Sequence, residues 1–80
     1  MVTIPKNMRE EVRIYRDTYK GNDLIDIRIW ARKEQGEPVA TKKGVSLRAE
    51  RLPDLIAALM RQLHDDERPV ALEMIQALEE

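Results

Sequence analysis

The stretch Leu24-Ile25-Asp26-Ile27-Arg28-Ile29-Trp30 constrains the fold more than any other part of the chain. Isoleucine at every second position fits a strand, whose successive side chains point to opposite sides; a helix would scatter the same residues around its axis. Ile25, Ile27 and Ile29 therefore belong to a buried face, and Leu24, Asp26, Arg28 and Trp30 to the other. Residues 11–18 alternate in the same way, with Val12 and Ile14 on one side and Arg13, Tyr15 and Asp17 on the other. Tyr19-Lys20-Gly21-Asn22-Asp23 lies between, and Gly21-Asn22 suits a tight hairpin turn that needs positive φ. With the turn centred there, Tyr19 faces Leu24, Asp17 faces Asp26, Tyr15 faces Arg28 and Arg13 faces Trp30. One face then gathers Arg13, Tyr15, Tyr19, Arg28 and Trp30; the other gathers Val12, Ile14 and the three isoleucines. The opposed Asp17 and Asp26 are a flaw in this register, because like charges across a strand pair destabilise it.

Around this hairpin the chain divides into three parts: an arm over residues 1–10, a sheet-helix domain over 11–64 and an acidic helix over 65–80. The second strand covers about 23–33, Lys33 to Pro38 form another turn, and residues 39–47 supply one or two short strands broken at Gly44. From Leu52 the period changes. Leu52, Leu55, Ile56, Leu59, Met60 and Leu63 follow the spacing of an amphipathic helix, with Pro53 in its first turn, where a missing N–H is tolerated. Pro69 opens a second helix carrying Val70, Ala71, Met74, Ile75 and Leu78 on one stripe. Strands followed by helices make an α+β fold with an antiparallel sheet. The helix stripe has more apolar surface than one small sheet can cover, which predicts a homodimer.

Much chemistry is excluded. The chain has no cysteine, so a disulfide framework or thiolate metal site is impossible. No apolar run approaches the roughly 20 residues that span a bilayer, and the first residues lack a secretory pattern, so a soluble cytoplasmic protein is expected. The one histidine, His64, precedes Asp65, Asp66 and Glu67. Read as helix, these consecutive residues point in different directions and make a poor metal site, so no metal or cofactor is expected. The three scattered glycines form no phosphate-cradling loop, and Asp17 with Asp26 lacks a third group to position. No enzyme is expected.

The basic-aromatic face survives this elimination. The chain is nearly neutral, but residues 1–51 hold twelve Lys/Arg against eight Asp/Glu, while residues 52–80 hold two against seven. All three aromatics, Tyr15, Tyr19 and Trp30, fall on one face with Arg13, Lys20 and Arg28, and Lys42 and Lys43 add charge nearby. Rings for base stacking along a positive track are what single-stranded nucleic acid requires.

In order, Tyr19-Lys20-Gly21 at the turn, Leu24–Trp30 in the strand and Lys42-Lys43-Gly44-Val45-Ser46-Leu47 before the helix resemble the positive cofactor four family of transcriptional coactivators and its bacterial relatives. The resemblance covers about residues 9–63. It implies a four-stranded antiparallel sheet followed by a helix, in a symmetric dimer that binds single-stranded or melted DNA and acts in transcription or genome maintenance. It also implies a nucleoid-associated location and contact with the transcription machinery. Tyr19, Lys20, Arg28, Lys42 and Lys43 correspond to the family's binding positions, and Leu52, Leu55, Ile56, Leu59, Met60 and Leu63 to its helical interface. Asn22 stands where the family often has lysine, and Ala31 where it often has another aromatic. The family's eukaryotic N-terminal extension has no counterpart, which implies a bacterial or phage setting. Rival readings are a protein-interaction module that uses the helix stripes, a duplex-binding sheet dimer, and a structural dimer without ligand.

Overall fold

A computed structural model describes residues 1–34 and 36–78. Four strands run in chain order, β1 (Val2–Pro5), β2 (Glu10–Tyr19), β3 (Asn22–Ala31) and β4 (Val39–Arg48). Every neighbouring pair is antiparallel, so the sheet is a simple meander. A 3-10 turn over Ala49–Arg51 leads into α1 (Leu52–Arg61), with Pro53 in its first turn as expected, and α2 follows over Arg68–Leu78.

The sheet differs from the expected one in three places. First, part of the arm is a strand: Val2 pairs with Ile14 and Ile4 with Val12. The reversal behind it is built by Asn7, whose Oδ1 accepts the backbone N–H groups of Arg9 and Glu10 at 2.9 and 2.8 Å. Second, Gly44 does not break β4, which is one strand with an irregularity between the pairs Arg28–Gly44 and Trp30–Ala40.

Third, the hairpin turns at Lys20-Gly21, not at Gly21-Asn22. Both central residues have positive φ, 51° and 79°, as a type I′ loop needs, and the glycine takes the second position. Tyr19 therefore pairs with Asn22, Asp17 with Leu24, Tyr15 with Asp26, Arg13 with Arg28 and Glu11 with Trp30. The shift is by two residues, so every side chain keeps its expected face. The opposition of Asp17 and Asp26 disappears.

The apolar face carries the ladder Val12–Ile29, Ile14–Ile27, Ile27–Val45 and Ile25–Leu47. It is poorly covered within one chain. Ile25 is the only buried apolar residue among those described, and the element that leans on β3 is the 3-10 turn; α1 makes no comparable contact with the sheet. The stripe of α1 is therefore not laid on its own sheet.

At Gly44, β4 runs close against β3. A Cβ there would fall 2.5 Å from the Ile27 carbonyl oxygen and 2.8 Å from Arg28 Cα, both backbone atoms that cannot swing aside. Gly44→Ala should lower unfolding free energy by about 1–3 kcal/mol, the range of a forced backbone shift. A urea midpoint equal to the parent's would contradict that close approach.

Candidate nucleic-acid interface

The face opposite the isoleucines is organised by two carboxylate–arginine pairs, each spaced two residues apart along a strand. Arg13 stands directly across from Arg28, an arrangement that would repel if both charges were free. Each is neutralised along its own strand. Arg13 Nε donates to Glu11 Oε2 at 2.7 Å, and Arg28 Nε donates to both Asp26 carboxylate oxygens at 3.1 Å.

Arg28 is committed further. Its Nη1 donates to the Thr41 carbonyl at 3.1 Å and its Nη2 to Ser46 Oγ at 3.4 Å, and Ser46 Oγ also donates to Asp26 at 3.3 Å. Asp26 is 7% exposed, the one buried charged residue among those described. Burial pushes its carboxyl pKa up, but hydrogen bonds from Arg28 and Tyr15, the Arg28 charge and the Ser46 hydroxyl outweigh that and hold it below the ordinary value of 3.8. Bonding to Asp26 in turn raises the pKa of Arg28. Tyr15 is raised, first by burial and then by the neighbouring Asp26.

Trp30 is clasped on two sides. The Arg13 guanidinium lies 4.1 Å from its ring centroid, and Tyr15 meets it edge to face at 6.3 Å and 83°. Its Nε1 is buried without a hydrogen-bond acceptor. Tyr19, at the hairpin tip, is the open ring: it is 62% exposed, with Lys20 Nζ 5.3 Å from its centroid. Lys42 and Lys43 are exposed on the irregular part of β4, and neither forms an ion pair among the described residues. Glu10 has its pKa lowered by Asn7 first and Lys6 next, with a smaller contribution from Lys43.

The structure thus brings Arg13, Tyr15, Arg28 and Trp30 into one contiguous cluster and sets Tyr19 and Lys20 at its end. Asp26, Glu11, Thr41 and Ser46 complete the cluster; the sequence placed Asp26 on this face but paired it with Asp17, and Glu11, Thr41 and Ser46 were not singled out as site residues. The Asp-Ile-Arg spacing was the available signal, since residues two apart on a strand share a face.

His64, Asp66 and Glu67 bring ligand atoms within 4.8 Å of one another, closer than expected. The reason is that 64–67 is a turn and not helix, with the His64 N–H donating to Glu67 Oε1 at 2.7 Å. All three residues are exposed. Among the described residues, no helix is long and apolar enough to cross a membrane.

Residues 6–58 match the family model of the transcriptional coactivator p15 (PC4). Among solved structures, a PC4 homologue from Burkholderia pseudomallei is similar at 28% identity in two crystal forms. In the tetragonal form the TM-score is 0.68 over 75% of this chain and 88% of that one. In the orthorhombic form it is 0.70, over 75% and 81%. The bacteriophage T5 homologue of the eukaryotic coactivator PC4, implicated in recombination-dependent DNA replication, is similar at 26% identity. Its TM-score is 0.69 over 98% of this chain and 89% of the phage protein. No curated protein matches significantly.

The lowered Asp26 pKa has a definite sign. Asp26 adds stability above its unfolded pKa, near 3.8, and that stability is lost as pH falls through the lower folded value. Asp26→Asn should therefore narrow the stability gap between pH 6 and pH 3. Urea denaturation at the two pH values checks this, and an equal acid loss in both proteins would contradict it.

Proposed function

The chain belongs to the family of the transcriptional coactivator p15 (PC4), and from that premise we propose that it binds single-stranded or melted DNA, without catalysis and with little sequence preference. The observation that carries this reading is the gathering of all three aromatics of the chain with Arg13, Lys20 and Arg28 on the side of the sheet opposite the isoleucines. Such a surface suits a flexible strand, whose bases stack on rings while its phosphates follow the charge.

Roles divide by availability. Tyr19 is the exposed stacking ring, with Lys20 beside it for phosphate. Lys42 and Lys43 carry phosphate further along the sheet. Arg13 and Trp30 act as one stacked unit, whose guanidinium plane or indole can receive a base. Tyr15 supports Trp30. Arg28 is occupied by Asp26, Thr41 and Ser46 and has little left to offer a ligand directly.

We further infer that the working form is a homodimer. The accessible surface of one chain is 7042 Å², against about 5,000 Å² for a compact monomer of this mass. The radius of gyration is 14.7 Å, against about 12 Å for a compact chain of this length. The excess is apolar in the right places: Ile56 and Leu59 are 52% and 59% exposed. With Leu52, Leu55, Met60 and Leu63 they form the stripe of α1 and its C-terminal end that a second copy covers. Transcription or genome maintenance follows as the setting, in the nucleoid-associated cytoplasm, with the transcription machinery as a further partner. The replication link of the phage relative favours the genome-maintenance side. A protein-interaction module is the second reading, favoured by the exposed Val70, Met74 and Leu78 of α2.

Titration with a labelled oligo-dT strand, and with duplex of equal length, tests the DNA reading. Tyr19→Ala should weaken single-strand binding by about 1–3 kcal/mol, the value of one stacked base, while leaving the urea midpoint in place. Absence of single-strand binding by the parent protein at moderate salt would sink the reading and promote the interaction module. For the dimer, Leu59→Glu should shift the sedimenting species from two chains to one; a parent protein already monomeric at micromolar concentration would refute it.

A further inference from the structure

We propose that Arg28 serves DNA binding as a positioning residue: it holds the β4 bulge that presents Lys42 and Lys43, and does not itself contact phosphate. This rests on the reading of the face as a single-strand surface. Between the pairs Arg28–Gly44 and Trp30–Ala40, the single residue Ile29 of β3 faces three residues of β4, namely Thr41, Lys42 and Lys43. Extra residues in one strand bend it and redirect its side chains, and both redirected lysines are exposed.

Nothing in local sequence obliges a bulge to keep one shape, so its shape must be held from outside. Three hydrogen bonds converge on Thr41. Its carbonyl accepts from Arg28 Nη1 at 3.1 Å, its Oγ1 donates to the Ile29 carbonyl at 2.8 Å, and the same Oγ1 accepts the Lys43 backbone N–H at 3.2 Å. Gly44 closes the bulge by lacking the Cβ that would strike β3. Arg28 is aimed at the Thr41 carbonyl because Asp26 and Ser46 fix the other edges of its guanidinium.

Electrostatics points the same way. A phosphate brought to Arg28 would also approach the Asp26 carboxylate, which lies 3.0 Å from Arg28 Nη2 and stays ionised well into the acid range. The pair presents almost no net charge, and its side chains are 20% and 10% exposed. Lys42 and Lys43 have no carboxylate within ion-pair distance among the described residues, although Lys43 acts weakly on Glu10. On β4 the charge that a strand can use lies on the bulge, as Lys20 supplies it at the hairpin tip.

The experiment is a double-mutant cycle read through salt dependence. Oligo-dT affinity is measured across a salt series for the parent, Arg28→Gln, Lys42→Gln/Lys43→Gln and the triple variant, with Thr41→Val as a milder route into the same bulge. Arg28→Gln and Thr41→Val are expected to weaken binding by on the order of tenfold, a coupling usual within one hydrogen-bond network. In the double-lysine background each should cost nothing further and leave the salt slope unchanged. A full additional loss there, with the slope falling by about another 0.7, would make Arg28 a direct phosphate contact and overturn the proposal. Full affinity in Thr41→Val with its fold intact would overturn it too. If Arg28→Gln fails to fold, the Thr41→Val arm decides alone. A parent protein that ignores oligo-dT overturns the single-strand reading itself, an outcome distinct from either result of the cycle.

Discussion

The desolvated pair of Asp26 and Arg28 is the interaction on which the functional side of the sheet depends. Taking two charges out of water costs several kcal/mol per ion, and mutual attraction repays this only when the remaining lone pairs and N–H groups are also satisfied. Here they are. Asp26 receives Arg28 Nε on both oxygens and the Ser46 hydroxyl on one, and Arg28 reaches on to Thr41. The bonds with Ser46 and Thr41 cross from β3 to β4, so the pair acts less as a source of stability than as a clamp on register. A slip of β4 by one residue would put Ser46 on the isoleucine side and leave a half-satisfied charge buried.

The other side of the sheet has the opposite problem, too little cover. A meander can bury one face only against something else, and among the described residues the 3-10 turn after β4 is the helical element most in contact with the sheet, at β3. Val45 remains 53% exposed in the middle of an apolar ladder. An open sheet and a partly exposed helix stripe are separately unstable surfaces, and the second copy proposed above, related by a two-fold axis, would supply cover to both at once. In that proposed dimer, association is part of folding, and the polar faces of the two sheets stay free to line a common surface.

Much of this was legible in the sequence, for a physical reason. Alternation of Ile25, Ile27 and Ile29 fixes the faces independently of register, because a two-residue slip preserves the sides. The face was therefore read correctly while every partner across the hairpin was wrong. The turn was misplaced because Gly21-Asn22 and Lys20-Gly21 both offer a glycine, and only the type I′ preference for glycine in the second position separates them. Whether the arm joins the sheet was left open by the sequence, because the four exposed residues Val2–Pro5 carry almost no pattern, and what brings them back to β2 is the reversal at Asn7. Gly44 looked like a strand break, although a residue without Cβ is also what lets two strands approach closely.

The site was harder to read than the fold, since composition counts charges without saying which are spent. Arg28 was read as one of the cations for phosphate, and its guanidinium is occupied by Asp26, Thr41 and Ser46. Trp30 looked like an open platform, yet Arg13 covers it at 4.1 Å and its Nε1 is buried. A base arriving at this point must either stack on the outer plane of the guanidinium or displace it. Displacement would separate Arg13 from Trp30 while leaving it next to an incoming phosphate, where the lost cation–π contact of about 0.5–2 kcal/mol is exchanged for a charge-assisted one. Glu11, at 2.7 Å from Arg13 Nε, opposes that exchange and keeps the arginine over the ring when no strand is bound. The face is thus closed on itself at its centre and open at its ends, at Tyr19 and at the β4 bulge. Under the single-strand proposal, first contact belongs to those ends, and a base reaches the Trp30 ring itself only after Arg13 yields.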